Sequence, residues 1–445
     1  MKSFIKKAKL MIDKAIVNGK VYLDSNFVNA NVYIDNGKIH AISHELFPAN
    51  ELIDATGLHV IPGIIDPHVH FDLDLGLHRS IDDFENGSMI AALGGVTTII
   101  DFLDPVANEF DLEKAYRKRL FEAEDSRIDY KFHATIKNPS GDLEAFVQKM
   151  LSLGMNSLKC FTTYSDSNRM TSDYHIVELL KLSQKYKFLL MVHAENEVDI
   201  DQDPSHTFRD LSSSRPSKAE INKVRQLASY LRQFGGYLYV VHTSSGETIE
   251  TIKETYPELI NKHLFFESCP QYFLFNDQKL KEDDGYLYTF TPPLRSERER
   301  IMLQENIDYI QTIGTDHCAF KAESKNKEYL NEIPQGIGSI EHSFDMMYQM
   351  FNEKIIDKMT KNVALLHFLD HKKGKIKVGY DADLFFYSLE KGKVESDHSL
   401  SGYSIYMGLP KSGKVVSTMV RGEFVVRDEV FEPHLGIYQK AGEVD

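Results

Sequence analysis

The sequence has no long apolar run, few cysteines and fewer basic than acidic residues. None of its 445 residues lies in an apolar run near the ~18 residues of a membrane-spanning helix, so we expect no membrane partner. The three cysteines, Cys160, Cys269 and Cys318, form no Cys-x-x-Cys motif, and this sparse, odd number fits a reducing compartment. Asp13 and Lys14 interrupt the apolar stretch behind the first lysines. A signal peptide is therefore not expected, and we predict a cytoplasmic protein.

The charge balance argues against nucleic acid as a partner. The chain has 51 basic and 66 acidic residues, a formal net charge of −15, and no basic stripe with interleaved aromatic residues. It also lacks a Gly-x-Gly-x-x-Gly motif after its first strand of the central region, which weakens a dinucleotide-binding interpretation. Its length predicts one large enzyme-sized domain and a smaller one.

Both ends of the chain have the pattern of short β-strands. The dipeptides Asn18-Gly19 and Asn36-Gly37 lie within β-type runs, where Asn-Gly favours the positive φ angles of a tight hairpin turn. The runs concerned are residues 15–22 and 32–39 at one end, and residues 382–387 and 415–426 at the other, with Arg421-Gly422 near the turn of the last. The two ends could therefore form one small sheet domain together.

The central region alternates between strand-like runs and helical patterns. Eight such strands fit a closed (β/α)₈ TIM barrel, with a doubly wound open sheet as the structural alternative. We place the barrel at residues 61–372 and a β-sandwich domain at residues 1–60 plus 373–445. The eight runs are residues 61–68, 96–102, 130–136, 157–161, 188–193, 237–242, 263–268 and 310–315.

Metal-ligand residue types lie at the ends of several of these runs, where a barrel forms its active site. They are His68, His70, Lys159, His193, His242 and Asp316. His68 and His70 share one face, because side chains alternate along a strand. Four histidines and a carboxylate exceed the needs of one tetrahedral zinc ion but suit two ions. Two cations would repel a protonated Lys159, so this lysine must be neutral, displaced or chemically altered.

Longer motifs carry a family resemblance. The run Pro62-Gly-Ile-Ile-Asp-Pro-His-Val-His70 resembles the signature of the amidohydrolase superfamily. Other motifs resemble its cyclic-amidase branch, which holds dihydropyrimidinases, hydantoinases, allantoinases and dihydroorotases. They are Asp82-Asp-Phe-Glu-Asn-Gly87, Gly94-Gly-Val-Thr-Thr-Ile-Ile-Asp-Phe102, Glu267-Ser-Cys-Pro-Gln-Tyr272, Thr291-Pro-Pro-Leu-Arg295 and Gly314-Thr-Asp-His-Cys318. The resemblance runs from about Lys14 to about Glu423.

The resemblance implies a barrel with a sheet domain from both termini, and a dimer or tetramer. It also implies two divalent metal ions, most often zinc, bridged by Lys159 that carbon dioxide has carboxylated. By matching motif, His68 and His70 would bind the more buried ion, and His193 and His242 the other. Asp316 would bind the first ion and act as general base while a metal-bound hydroxide opens a cyclic amide such as a dihydropyrimidine or hydantoin ring.

Two positions inform the choice of ring. Tyr164 matches a tyrosine that dihydropyrimidinases and hydantoinases use to hydrogen-bond the substrate and stabilise the oxyanion. It could instead be an aromatic residue that packs on the barrel rim. Asp72 stands where dihydroorotases carry an arginine that pairs with the substrate carboxylate, and an aspartate would repel that group. Dihydroorotate is therefore disfavoured, unless another cation such as Arg79 substitutes.

Two further positions depart from the dihydropyrimidinase pattern. Gln335 replaces an asparagine, and Thr291 replaces a serine, at places that contact the substrate ring. The changes leave allantoinase activity or an unusual hydantoin specificity open, although ordinary loop variation explains them equally well. Residues 71–80 and 162–172 would be the loops that contact the exocyclic substituent of the ring.

One alternative is not an enzyme. Some relatives keep the dihydropyrimidinase fold but are assembly proteins that have lost metal ligands. This chain carries the full ligand set, which favours an enzyme.

Overall fold

The computed structural model describes residues 11–442, which begin with seven strands ahead of the central barrel. Their bounds are β1 (Ile12–Val17), β2 (Lys20–Leu23), β3 (Asn26–Asn29), β4 (Asn31–Asp35), β5 (Lys38–Ser43), β6 (Ala49–Asp54) and β7 (Leu58–Pro62). Four of them form one sheet in the order β5-β4-β1-β6, while β7, β2 and β3 join a second sheet.

Eight parallel strands form the central barrel. They are β8 (Ile64–Val69), β9 (Val96–Phe102), β10 (Asp129–Thr135), β11 (Ser157–Phe161), β12 (Leu189–His193), β13 (Leu238–Val240), β14 (Leu264–Ser268) and β15 (Thr312–Ile313). Each pairs with its neighbours in chain order. The first and last edges approach each other just past the strands, where the His70 amide donates to the His317 carbonyl at 2.8 Å. The predicted TIM barrel is confirmed.

Helices alternate with the barrel strands and surround them. They are α1 (Phe84–Leu93), α2 (Glu109–Glu122), α3 (Leu143–Ser152), α4 (Asp173–Tyr186), α5 (Leu211–Ser214), α6 (Ser217–Phe234), α7 (Gly246–Thr255), α8 (Pro270–Leu274), α9 (Glu297–Glu305), α10 (Ala322–Lys325), α11 (Ser343–Phe351), α12 (Ile356–Met359) and α13 (Lys361–Leu366). No helix among residues 11–442 is long and apolar enough to cross a membrane.

Six strands follow the barrel; four of them complete the sheet domain, and the second and third form a separate two-stranded sheet. They are β16 (Leu384–Ser388), β17 (Gly392–Lys393), β18 (Pro410–Lys411), β19 (Lys414–Val420), β20 (Glu423–Arg427) and β21 (Val430–Phe431). Five of the N- and C-terminal strands meet in the order β19-β16-β7-β2-β3, within a seven-stranded sheet that β20 and β21 extend. Val60 of β7 lies opposite Phe386 of β16, and both side chains are buried between the two sheets. A β-sandwich built from both ends of the chain is therefore confirmed.

Two hairpins have the turn chemistry that the sequence predicts. Asn36 and Gly37 have φ angles of 51° and 74° and join the antiparallel strands β4 and β5. Arg421 and Gly422, with φ angles of 47° and 77°, join β19 and β20 in the same way. Positive φ at both central residues gives the turn a twist that matches the paired strands.

The prediction of a hairpin at Asn18-Gly19 is wrong. Asn18 has a φ of 63°, but β1 and β2 pair with different sheets and not with each other. A Cβ at Gly19 would lie 2.9 Å from both the Ala55 Cβ and a Val60 methyl. The dipeptide therefore makes a close crossing between the two layers of the sandwich, which its residue types alone could not distinguish from a hairpin.

The C-terminal segment returns to the barrel. The amide of Ile437 donates to Asp129 Oδ1 at 3.0 Å, and the Gln439 amide donates to the Tyr130 carbonyl at 2.7 Å. Asp129 opens β10 and also accepts a hydrogen bond from Lys373 Nζ at 2.7 Å. This buried carboxylate joins the barrel to residues near the sandwich.

Candidate active site

The carboxyl ends of the barrel strands bring the predicted metal ligands together. Lys159 lies within β11, His193 ends β12, and His68 is the next-to-last residue of β8. His242 and Asp316 follow β13 and β15 by two and three residues, respectively. Because parallel strands of a barrel end at one rim, six side chains from distant parts of the sequence share one site.

Asp316 lies between two histidines. Its Oδ1 atom is 3.2 Å from Nε2 of His68 and 3.2 Å from Nε2 of His70. The donor atoms of these three side chains all lie within 4.8 Å of one another, a separation that lets them bind one ion. Burial would raise the pKa of Asp316, but His68 and His70 hold it below its ordinary value.

The other two histidines form a neighbouring pair. His193 Nδ1 is 3.1 Å from His242 Nε2. The His242 ring centroid is 5.4 Å from that of His68, so this pair adjoins the group around Asp316. The spacing of the two groups suits two metal ions in one cavity.

Two buried glutamates orient these histidines. Glu267 Oε1 accepts from His68 Nδ1 at 2.6 Å, and Glu195 Oε2 accepts from His193 Nε2 at 2.7 Å. Each bond fixes the ring so that its second nitrogen can bind a metal ion, as in carboxylate–histidine–metal arrangements. Within residues 11–442, His68 Nε2 is buried without a hydrogen-bond partner, so this nitrogen is available to bind a metal ion. The residues present therefore fit a two-metal centre.

Lys159 is a buried amine in mostly aromatic surroundings. Its Nζ lies 5.2 Å from the Phe102 ring centroid and 5.5 Å from that of Phe161. Burial lowers the pKa of Lys159 to about 8, although Asp316 and Glu267 act in the opposite direction. A buried amine with this depressed pKa is neutral more often than a surface lysine.

Tyr164 lies beside the second histidine pair. Its ring centroid is 5.2 Å from that of His193, and its hydroxyl accepts from Arg215 NH2 at 3.3 Å. The same Arg215 NH2 donates to Glu195 Oε2 at 2.5 Å. Burial raises the pKa of Tyr164, so its hydroxyl keeps the proton that an oxyanion would need.

Thr291 and Gln335 meet on the wall of the same cavity. The Thr291 hydroxyl donates to Gln335 Oε1. Behind them, Lys325 Nζ donates to the Thr289 carbonyl at 2.8 Å and to the Gly336 carbonyl at 2.6 Å. Lys325 therefore holds the two predicted ring-contact segments against each other.

Several rim residues have left-handed backbone conformations. The φ angles are 52° at Asp72, 71° at Tyr164, 38° at His242 and 52° at Asp316. Such values are uncommon for residues other than glycine and concentrate at functional sites. The turn at Asp316 is supported by Asp66, which accepts from the Thr315 amide at 3.1 Å and hydroxyl at 2.6 Å.

All the predicted site residues line one open cavity of about 1130 Å³. Loop residues 71–80 and 162–172 contribute to its mouth, including Leu73, Leu75 and Leu77 on the first loop. Within that loop Arg79 donates from Nε and NH2 to the two oxygens of Asp72, both at 2.5 Å. Arg79, the cation that the sequence left as a possible partner for a substrate carboxylate, is therefore already paired with Asp72.

Sequence reasoning missed the residues that orient the ligands. Glu195, Glu267 and Arg215 were not singled out, although Glu195 lies two residues after His193 and so on the same side of an extended chain. That spacing was a usable signal for Glu195. Glu267 and Arg215 reach the site from other elements, and their contacts with His68 and Tyr164 follow only from the fold.

Comparisons with known proteins identify the family. The profile of the "Amidohydrolase family" matches residues 59–425. D-hydantoinase of Geobacillus stearothermophilus is 32% identical over 456 aligned positions, which cover 96% of each chain. A crystal structure of D-hydantoinase matches with a TM-score of 0.91 and 31% identity, covering 96% of this chain and 99% of that one. Dihydropyrimidinase from Brevibacillus agri NCHU1002 matches with a TM-score of 0.87 and 29% identity, covering 96% and 98%. The chain belongs to the amidohydrolase family, in its hydantoinase-like branch.

Proposed function

We propose that this enzyme hydrolyses an amide bond of a hydantoin or dihydropyrimidine ring, with two divalent metal ions at the barrel rim. The observation that carries the proposal is that two groups of metal-donor side chains lie next to each other. One group is His68, His70 and Asp316, and the other is His193 and His242. The names of the similar D-hydantoinase and dihydropyrimidinase proteins point to the same ring classes.

We assign His68, His70 and Asp316 to one ion, His193 and His242 to the other, and Lys159 to both. Carboxylation of the Lys159 amine would turn a cation into an anionic bridging ligand, which suits its place among these residues. Divalent ions held by these residues would supply the Lewis acidity that lowers the pKa of a bound water and polarises a carbonyl oxygen. Zinc is the first candidate, since histidine and carboxylate donors suit it.

The protein's own residues then handle protons and orientation. The Asp316 carboxylate accepts the proton of the attacking nucleophile and delivers it to the ring nitrogen as the C–N bond breaks. The Tyr164 hydroxyl, held by Arg215, donates to the oxygen of the attacked carbonyl as it gains negative charge. Thr291 and Gln335 orient the ring through their adjoining segments.

Dihydroorotase activity remains the less favoured alternative. Asp72 neutralises Arg79, and Glu195 neutralises Arg215, so neither guanidinium is free for a substrate carboxylate. Arg169 and Lys327 also line the cavity, which makes dihydroorotate a necessary comparison in any assay. Allantoin belongs in the same assay because Thr291 and Gln335 depart from the dihydropyrimidinase pattern.

Three other sequence predictions stay predictions. They are a homodimer or tetramer, a cytoplasmic location, and domain bounds at residues 1–60 plus 373–445 and 61–372. A non-catalytic assembly role is the opposing hypothesis for the whole chain, and its signature would be purification without metal.

The test combines metal content with a substrate panel. We expect about two equivalents of metal per chain, and ring opening of dihydrouracil, hydantoin or a 5-substituted hydantoin faster than of allantoin or dihydroorotate. Product appearance by mass spectrometry measures each rate. Asp316→Asn should lower kcat by about 10³-fold or more, because it removes both a ligand and the proton acceptor.

Asp125→Asn is the matched control, since Asp125 is exposed and lies between α2 and β10, at the end of the barrel away from the active-site rim. It should retain at least about half of the wild-type rate. A metal-loaded, folded Asp316→Asn variant with near-normal kcat would contradict the assigned role. A chain that purifies without metal and opens none of the rings would contradict the function itself.

A further inference from the structure

A second group of metal-ligand side chains lies outside the active site. Glu341 and His342 immediately precede α11, and Asp397 lies in the loop between β17 and β18. The donor atoms of these three side chains all lie within 4.8 Å of one another. One imidazole nitrogen and two carboxylate oxygens form a donor set that zinc and similar divalent ions accept.

His342 points a buried nitrogen into this group. The residue is only 5% exposed, and its Nε2 has no well-aligned hydrogen bond although it lies 3.1 Å from Asp397 Oδ2. Asp397 is anchored through its other oxygen, Oδ1, which accepts from the Ser399 amide at 3.0 Å. A buried ring nitrogen left without a directed partner is a donor available to an ion.

The carboxylates of the group lack a strong cationic partner. Within residues 11–442, Glu341 pairs with His398 at 2.8 Å and Asp397 pairs with His342, and neither pairs with a lysine or arginine. Both carboxylates are mostly buried, with about a tenth of each side chain exposed. Two buried negative charges beside imidazoles favour a divalent cation.

We propose that Glu341, His342 and Asp397 form a third divalent metal site, separate from the catalytic pair. The site would tie the start of α11 to the loop at residues 397–400. His398, whose Nδ1 contacts Glu341 Oε1, would fix the orientation of that carboxylate as an outer partner.

An ion at this site would stabilise the residues that hold His317 next to the active site. The Ser399 hydroxyl and Leu400 amide donate to Asp82 at 2.7 and 2.9 Å, and Asp82 contacts His317 Nε2 at 3.0 Å. On the other side, the Ser339 amide donates to His317 Nδ1 at 3.1 Å. Both segments that the ion would join therefore hold His317, the neighbour of Asp316.

The proposal is tested by comparing the zinc content of the wild-type protein with that of variants that lack one ligand. Wild-type protein, saturated with zinc and dialysed against metal-free buffer, should contain about one equivalent more than His342→Gln or Asp397→Asn. His44→Gln, an exposed histidine of the sandwich, is the matched control and should equal the wild type. The difference does not depend on how many ions the catalytic centre holds, so failure here is distinct from failure of the proposed function. Equal zinc content in wild type and both folded variants would overturn the site.

A second measurement avoids the risk that a variant does not fold. Crystals of the wild-type chain grown with zinc should give an anomalous difference peak between His342 Nε2 and the carboxylates of Glu341 and Asp397. The absence of a peak there, in a crystal whose other zinc sites are occupied, would reduce the group to an ion pair and overturn the proposal.

Discussion

At the scale of single residues, the site depends on carboxylates that do not face the substrate. Glu195 accepts from His193 on one side and from Arg215 on the other. Burial alone would raise the pKa of Glu195, but Arg215 and His193 hold it well below its ordinary range. Glu195 is therefore a fixed negative charge that sets the ring orientation of His193 and the place of the guanidinium beside Tyr164.

Replacing Glu195 with glutamine should weaken metal binding. The amide is neutral and can present its NH2 group to His193, so the ring loses both an orienting charge and a unique orientation. We expect metal affinity to fall by about 10- to 100-fold. Metal loss at graded chelator concentrations measures the change.

The control for this variant is Glu254→Gln, because Glu254 is an exposed residue near the end of α7. It should retain metal like the wild type. If Glu195→Gln and Glu254→Gln lose metal at the same chelator concentration, Glu195 does not hold the ligand as we infer.

The residues that could be predicted were those that obey a local rule. His68, His193 and Asp316 lie at the ends of apolar runs, so the common rim of the barrel strands predicts that they share one site. Glu267 orients His68 from another strand, and its role depends on how β14 lies two strands away from β8 around the barrel. The pairing of Asp72 with Arg79 depends on the path of the loop between them, which residue types do not determine.

At the scale of elements, short α10 connects the two chain segments that carry Thr291 and Gln335. Lys325, its last residue, is fully buried and donates to carbonyls of both segments. Burial lowers the pKa of Lys325 to about 7. The side chain touches neither Thr291 nor Gln335 and acts on the substrate only through the segments it joins.

Lys325→Met should therefore affect substrate binding more than the chemical step. Two buried carbonyls would lose a donor, at a cost of about 1–3 kcal/mol, and the ring-contact segments would separate. We expect KM to rise by about 10-fold and kcat to change by less than about 3-fold. Steady-state kinetics on the best ring substrate measures both constants.

Lys321→Met provides the comparison, since Lys321 is exposed and precedes the same helix. It should leave both constants unchanged. A Lys325→Met enzyme whose kcat falls while KM is constant would place this lysine in the chemical step instead of in substrate positioning.

Whether a segment forms a strand was easier to predict from the sequence than which other strand it pairs with. All eight barrel strands lie within or beside the runs expected from the sequence, because those runs are rich in apolar and β-branched residues. Asn36-Gly37 and Asn18-Gly19 are the same dipeptide, yet the first makes a hairpin and the second leads from one sheet to the other. The two dipeptides differ in outcome because β1 and β2 pair with strands of different sheets, and those partner strands come from elsewhere in the chain.

At the scale of the whole molecule, a buried ionic group joins the barrel to the sandwich. Asp129 at the start of β10 binds Lys373 at 2.7 Å and also contacts Arg421. Lys373 in turn contacts Asp383, which lies just before β16. The two domains are thus connected by buried charges as well as by apolar packing.

Asp129→Asn should destabilise the fold substantially. Removing one partner leaves buried positive charge poorly compensated, which costs roughly 3–5 kcal/mol in comparable sites. Urea-induced unfolding measures the free energy change. Asp308→Asn, which removes an exposed pair with Lys354 at 3.5 Å, should change stability by less than about 1 kcal/mol. Equal stability of the two variants would show that the buried group contributes nothing to holding the domains together.

The pairing of Val60 in β7 with Phe386 in β16 sets an order of events during synthesis. At ~5–20 residues per second, a ribosome needs roughly 15–65 s to make the chain between these two positions. During that interval β7 has a free edge, and an unpaired strand edge can recruit other chains. The barrel strands, which pair with their immediate neighbours, can form in the meantime. The sandwich is therefore the last domain to close, and the nascent chain is most exposed to aggregation at its first-made end.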